Sequence, residues 1–245
     1  TDVGRGAVFV FDKVNGELFI WDQADRGSSF ISPIGITMGS GGSILVADSE
    51  LQRIVRLSAD GKTLGSFGEG LLSRPTGLVR DAINQHIYVV DTREHNIKMF
   101  DDDGSLIDII GQRGDGPGEF NAPTHITLSG NRLYVTDTLN ARVQVLDLDG
   151  EPLSVIGKRG LYLGNLTRPK GVAVDADDNI YIVESYYDHL LVFDKQGEFL
   201  LPIGGTGNAV GQFFLPSGVW NDERGRIYVA DMYNGRVMIL QFLGG

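Results

Sequence analysis

Histidines are the side chains of this sequence best suited to hold a metal ion, because the chain contains no cysteine. Without a thiol, the chain can form no disulfide, thiolate metal site or cysteine nucleophile. A zinc site needs several ligand nitrogens at about 2.1 Å from one ion. The candidate ligands are His95, His125 and His189, whereas His86 lies in a separate turn. We do not expect the three candidates to converge, so we assign no metal and no cofactor.

Three other kinds of chemistry each lack all or part of the sequence pattern that they require. The Gly-x-Ser-x-Gly motif of many serine hydrolases does not occur. The glycine-rich stretch 114–118 could cradle a phosphate only with a strand before it and a helix after it, and no helical period is visible. The acidic stretches 101–104 and 175–179 offer oxygen ligands for Ca²⁺ but no downstream bidentate glutamate. We interpret all three stretches as loops or turns and assign no catalytic residue.

Two residue types recur along the chain at nearly constant intervals. Prolines separated by 42, 48, 46 and 47 residues are Pro33, Pro75, Pro123, Pro169 and Pro216. Acidic residues that end an apolar run keep nearly the same interval and are Asp48, Asp91, Asp137, Glu184 and Asp231. A period of this length predicts several copies of one supersecondary unit.

Each copy is predicted to contain four short strands. In the fourth copy these are residues 171–174, 180–183, 190–193 and 199–201, rich in β-branched and aromatic residues and separated by Gly, Asp and Asn. Turns such as Asp103-Gly104 and Gln196-Gly197 supply the positive φ that a tight hairpin requires. A four-stranded antiparallel unit that cannot bury both faces alone is typical of a β-propeller blade, so we predict an all-β propeller.

The repeat resembles that of the NHL-repeat β-propellers. The residues that carry the resemblance are Pro169 to Phe193, 216–219, Ile227 to Asp231, 234–237 and the inter-blade stretch 111–123. The resemblance covers essentially the whole chain and implies six blades. We expect one domain at 1–245, with a partial blade at 1–32, full blades at 33–68, 74–111, 122–157 and 168–204, and a three-stranded last blade at 216–245. Residues 7–22 align as a third and a fourth strand, so three strands would precede Thr1; a five-bladed ring is the alternative.

Comparison of the copies separates residues that serve every blade from exceptions. Acid and arginine recur at a five-residue spacing as Asp48/Arg53, Asp137/Arg142 and Asp231/Arg236, so we predict ion pairs within the blade rather than catalysis. His125 is an exception, because the other copies place a glycine there: Gly35, Gly77, Gly171 and Gly218. We expect His125 at the start of an innermost strand, near the mouth of the propeller channel.

The loops before the first strand and between the second and third strands should share one face of the propeller. Apolar residues on that face that we interpret as outside the repeat are Leu71, Leu72, Leu161, Tyr162, Leu163, Tyr186, Tyr187, Phe214 and Tyr233, whereas Phe213 repeats with Phe120 and Phe30. Tyrosines on loops held by a rigid scaffold are suited to anchor an interface, and Arg93 could add a polar rim. We therefore predict a non-catalytic scaffold that binds a protein or peptide.

The net charge of −11 disfavours nucleic acid, because a phosphate backbone would be repelled, and it favours a basic partner. No apolar run is long enough to span a membrane. Two alternatives stay open. One is a metal-dependent lyase or lactonase-like enzyme at the channel mouth, as the resemblance allows, and the other is a structural subunit of a larger assembly. Bacterial NHL-like propellers are often exported, so the resemblance favours an extracytoplasmic location.

Overall fold

The computed structural model describes residues 1–241, which form 23 strands and two single-turn 3-10 helices, Ser40–Gly42 and Thr138–Asn140. The chain divides into two compact units, Thr1–Gln112 (unit 1) and Arg113–Gly245 (unit 2). No helix within residues 1–241 is long and apolar enough to cross a membrane. The all-β class and the four-stranded antiparallel blade predicted from sequence are confirmed.

Unit 1 contains two hairpins and two four-stranded antiparallel sheets. The hairpins pair β1 (Val8–Asp12) with β2 (Glu17–Trp21) and β3 (Gln23–Asp25) with β4 (Ser28–Ser29). The first sheet is β5 (Pro33–Met38), β6 (Ile44–Asp48), β7 (Arg53–Leu57) and β8 (Thr63–Phe67). The second is β9 (Pro75–Asp81), β10 (His86–Asp91), β11 (Asn96–Asp101) and β12 (Leu106–Ile110). The short β3-β4 hairpin was not predicted; its Ala24 is buried in a core cluster with Val8 and Phe30.

Unit 2 contains two four-stranded sheets and one three-stranded sheet, all antiparallel. The first is β13 (Pro123–Ser129), β14 (Arg132–Asp137), β15 (Arg142–Leu146) and β16 (Pro152–Ile156). The second is β17 (Pro169–Val174), β18 (Ile180–Glu184), β19 (His189–Phe193) and β20 (Phe199–Gly204). The third is β21 (Pro216–Asn221), β22 (Arg226–Asp231) and β23 (Arg236–Gln241). Residues 242–245 of the predicted last blade lie outside the described residues.

Neighbouring sheets bury each other's faces. All five residues of β18 are buried, as the unbroken apolar run of this second strand predicts. One core cluster of unit 2 joins Val143 and Val145 of one sheet to Val172 and Ile182 of the next. The fourth strand is the more exposed side of each four-stranded sheet: the first four residues of β16 are exposed.

The residue three positions before each repeating proline is a buried anchor. These residues are Phe30, Leu72, Phe120, Leu166 and Phe213. The prediction that Leu72 lies outside the repeat, on the loop surface, was therefore wrong: its side chain is 3% exposed and belongs to a core cluster with Phe67 and Phe100. Leucine fills in this copy the place that phenylalanine fills in three others.

The two ends of each sheet differ in what they carry. Pro169 pairs with Glu184, so the loop before β17 and the loop between β18 and β19 lie side by side. The backbone N–H of Ser185 donates to the carbonyl of Arg168 across these two loops, at 3.2 Å. We call this end of a sheet the loop edge. The opposite end, which carries the turns between first and second and between third and fourth strands, is the turn edge.

Candidate functional site

A buried carboxylate ties the two loops of each loop edge together. The Glu184 side chain accepts backbone N–H bonds from Thr167 at 2.7 Å, from Arg168 at 2.9 Å and from Tyr186 at 2.9 Å. Asp231 likewise accepts the N–H of Phe214 at 2.7 Å. The repeating acids are 0–1% exposed, so they hold loops in place instead of presenting charge to a ligand.

Two of the three predicted ion pairs within blades are present. Nε of Arg142 lies 2.8 Å from Asp137, and Nε of Arg236 lies 2.8 Å from Asp231. The prediction of an Asp48/Arg53 pair was wrong, because Arg53 instead forms a salt bridge with Glu69, with an N–O distance of 2.5 Å.

Two causes explain the missing pair. Asp48 is already satisfied by backbone N–H groups, including those of Ser32 at 3.0 Å and Leu51 at 3.0 Å. In addition, Glu69 offers Arg53 a second carboxylate in the following loop. A buried acid that has several backbone donors does not require a cation.

Exposed aromatic side chains distinguish the loop edge of unit 2. Tyr162, Tyr186 and Tyr233 are 84%, 56% and 67% exposed. The residue two positions after each repeating acid shows the contrast: it is Glu50, Arg93, Leu139, Tyr186 and Tyr233 in chain order. The first two, in unit 1, are charged, whereas the last three, in unit 2, are apolar or aromatic and exposed.

Ring contacts and backbone bonds hold these aromatic residues. Tyr186 and Tyr187 pack edge to face with ring centroids 4.8 Å apart, and Tyr187 is partly buried. The rings of Phe214 and Tyr233 are 4.6 Å apart, and the Tyr233 N–H donates to the Phe214 carbonyl at 3.0 Å. The rings therefore have little rotamer freedom left to lose on binding.

The remaining predicted loop residues fall into different parts of the molecule. Leu71 is 43% exposed and Arg93 is exposed, but both belong to unit 1. Leu161 and Leu163 flank Tyr162 and are exposed with it. The predicted surface is thus represented in unit 2 by Tyr162, Tyr186, Tyr187, Phe214 and Tyr233, together with these two leucines.

The three candidate histidines lie in different sheets or units. His95 belongs to unit 1, whereas in unit 2 His125 is the third residue of β13 and His189 is the first residue of β19. Within residues 1–241, no group of three His, Cys, Asp or Glu side chains is placed to hold a metal ion. His189 is bound into its sheet opposite Glu184, and its Nδ1 atom is buried without a hydrogen bond to any described residue.

His125 is held in one tautomer by a chain of hydrogen bonds. The Thr138 hydroxyl donates to the Pro169 carbonyl at 3.0 Å, so the Thr124 hydroxyl must donate to Thr138 Oγ1 across their 2.7 Å contact. Thr124 has then no proton left for His125 Nδ1, 3.1 Å away, so Nδ1–H is the donor. Nε2 of the neutral ring is consequently an acceptor.

The surroundings of His125 keep this ring neutral. Burial, with a smaller contribution from the positive charge of Lys170, lowers the pKa of His125 from 6.5 to about 4. His125 also occupies a place that other copies leave to glycine. At Gly171, an added Cβ would lie 2.6 Å from the backbone nitrogen of Val219. Sequence analysis identified His125 as an exception but missed the threonines that orient it. The signal that could have revealed them is a threonine directly after the repeating proline and another directly after the repeating acid of this copy, Thr124 and Thr138.

Several solved structures are similar to this chain. Virginiamycin B lyase from Staphylococcus aureus shares 16% identity at a TM-score of 0.68, covering 100% of this chain and 80% of that chain. A chain of a nidogen/laminin complex shares 16% at a TM-score of 0.71, with 96% and 88% covered. A Bacteroides thetaiotaomicron protein shares 16% at 0.69, with 98% and 67% covered. Such identities show the fold alone.

Sequence comparison identifies the family but no individual relative. No curated protein matches the chain. The model of family DUF5128, described as "6-bladed beta-propeller", matches residues 77–157 and 165–244, which is more than half of the chain. This match agrees with the six-bladed type that the NHL resemblance implies; the position of three further strands before Thr1 stays a prediction. The chain therefore belongs to the six-bladed β-propeller family DUF5128.

Proposed function

We propose that this propeller is a binding scaffold whose loop edge in unit 2 docks a protein or peptide. The observation that carries the proposal is the exposure of Tyr162, Tyr186 and Tyr233 on loops that buried carboxylates hold in place. Tyrosine is enriched among interface residues that dominate binding energy, because it offers a large contact area at a small entropic cost.

The contrast between the two units supports a role in binding over a role in blade packing. If exposed aromatic residues were needed to cover the end of a blade, unit 1 would need them as well. Unit 1 instead carries Glu50 and Arg93 at the positions of Tyr186 and Tyr233, and its sheets have the same buried carboxylates.

The proposal is tested by quantitative affinity capture from an extract of the source organism. The double variant Tyr186→Ala/Tyr233→Ala should lose a protein that the unaltered chain recovers. Trp220→Ala is the matched control, because Trp220 is a 60% exposed aromatic residue of unit 2 near the turn edge. Equal recovery by all three baits would contradict the proposal, provided that thermal melting shows each bait to be folded.

Two finer assignments are part of the proposal. We infer that the repeats are of the NHL type, supported by the Ile-Tyr-Val-Ala-Asp run of β22 and the Arg-Val start of β23. We also infer one domain at 1–245, because the family match at 77–157 continues through the division between the two units.

A second candidate function is an enzyme of the lyase or lactonase type. The observation that favours it is the fixed Nε2 acceptor of His125, which could orient a proton-donating group of a substrate. A screen with lactone substrates tests this candidate. Turnover that His125→Gln abolishes would support an enzyme, whereas turnover that His125→Gln leaves unchanged, or no turnover, would contradict a role for His125.

A further inference from the structure

The acidic side chains of unit 2 are concentrated at its turn edge. Its turns contain Asp147, Asp149, Glu151, Asp175, Asp177, Asp178, Asp194, Glu198, Asp222 and Glu223. The cations of the same turns are Lys195 and Arg224. Much of the negative net charge of the chain thus lies at the end of unit 2 opposite the aromatic residues.

The loop edge has the opposite charge over its last two sheets. The loops concerned are 157–168, 185–188, 205–215 and 232–235. Their exposed cations are Lys158, Arg159 and Arg168. The acid within these loops is Asp188, which is buried and accepts hydrogen bonds from Thr206 Oγ1 and the Leu215 N–H, both at 2.7 Å.

Hydrogen bonds connect these cations to the aromatic surface. Arg159 donates to the Leu139 carbonyl at 2.5 Å. Further along the same loop, the Thr167 hydroxyl donates to the Gly160 carbonyl at 3.0 Å. The Arg168 carbonyl accepts the N–H of Ser185, which directly precedes Tyr186. Arg159 and Arg168 therefore lie in the loop that carries Tyr162, and this loop adjoins the loop of Tyr186.

We propose that the partner of this surface is an acidic polypeptide segment that also carries apolar side chains. This inference rests on the proposed function and specifies its partner. The negative net charge of the chain favours a basic partner, but at physiological salt charges are screened beyond about 8 Å. The charges next to the docking surface therefore decide the sign of the partner, and in the loops of the last two sheets the exposed charges are Lys158, Arg159 and Arg168.

The inference is tested by fluorescence anisotropy with labelled random copolymers. A glutamate–tyrosine copolymer should bind, and Arg168→Glu should weaken its binding about tenfold, since reversing one close charge changes the contact energy by roughly 1–2 kcal/mol. The matched control is Arg224→Glu, which makes the same change of net charge at the turn edge and should leave this binding unaltered. The unaltered chain should bind a lysine–tyrosine copolymer more weakly than the glutamate–tyrosine copolymer.

Several outcomes would overturn the inference. Equal effects of the two reversals would mean that net charge alone acts. Stronger binding of the lysine–tyrosine copolymer than of the glutamate–tyrosine copolymer to the unaltered chain would indicate a basic partner at this edge. Binding of phosphatidylserine vesicles with the same dependence on Arg168, but no binding of the acidic copolymer, would indicate a membrane surface instead.

The failures of the two proposals are distinguishable. If the tyrosine variants lose a captured protein while Arg168→Glu retains both that protein and the acidic copolymer, the docking surface stands and the acidic partner is wrong. If Arg168→Glu weakens the acidic copolymer but no captured protein depends on Tyr186 and Tyr233, the proposed function is wrong.

Discussion

Acidification should destabilise the folded protein through His125. The unfolded chain binds a proton at this ring near pH 6.5, whereas the folded chain binds it only near pH 4. Between these values the unfolded state holds more protons, so the free energy of unfolding falls as the pH falls. The contribution of His125 is fully present above pH 6.5 and is lost by about pH 4.

The size of the effect follows from the change in proton affinity. A tenfold change corresponds to 1.36 kcal/mol, so moving the pKa from 6.5 to about 4 gives at most about 3 kcal/mol. His125 keeps part of its surface exposed to solvent, and solvent screens the charge of the protonated ring. We therefore expect a smaller loss of unfolding free energy, about 2 kcal/mol.

The assay is urea unfolding at a series of pH values for the unaltered chain and for His125→Asn. The asparagine amide can still donate to Thr124 but does not titrate, so its curve should lose about 2 kcal/mol less between pH 7 and pH 4. Parallel curves, or an NMR titration of His125 with a midpoint near 6.5, would refute the reasoning.

Three further perturbations test the scaffold and the hydrogen-bond chain. Leu72→Ala should cost about 2–5 kcal/mol of unfolding free energy and Leu71→Ala less than about 0.5, because the first leaves a core cavity; similar values in urea titrations would contradict the burial of Leu72. Asp137→Asn should cost about 3–5 kcal/mol by leaving the Arg142 guanidinium without its buried partner, and a loss below about 1 kcal/mol in the same assay would show that backbone donors carry this site. Thr138→Val removes the hydroxyl that directs the chain, so ¹⁵N NMR should show a smaller Nδ1–H fraction for His125 than in the unaltered protein; an unchanged fraction would show that the threonines do not set the tautomer.

The repeat made the strands predictable because each copy obeys the same local chemistry. A proline begins the first strand of each copy, and an unbroken apolar run forms the buried second strand. An acidic residue ends the second strand, where its carboxylate accepts hydrogen bonds from backbone N–H groups of the neighbouring loop. The third strand of the fourth sheet begins at His189 and ends at Phe193, one residue longer than expected. The β3-β4 hairpin was not predicted because its strands are only three and two residues long. Strands this short show no alternating pattern that would distinguish them from a loop.

Side-chain partners were less predictable, because they depend on distant residues. The spacing of Asp48 and Arg53 equals that of Asp137 and Arg142, but only the structure shows that Glu69 competes for Arg53. The fixed tautomer of His125 needs two threonines and a carbonyl from three separate strands or loops. The net charge of the chain also does not show that acids lie mainly at the turn edge of unit 2 and exposed cations at its loop edge. That division becomes visible only when the strands assign each turn and loop to an edge.

Hydrogen–deuterium exchange of the protein, alone and with the partner recovered by affinity capture, tests the docking surface most directly. We predict slower exchange in peptides covering 158–168, 185–188 and 232–235 when the partner is bound. Exchange in the turns at 175–179 and 194–198 should stay the same, because these turns lie at the opposite edge of the same sheets. Protection confined to those turns, or to the exposed strand β16, would contradict binding at the loop edge of unit 2.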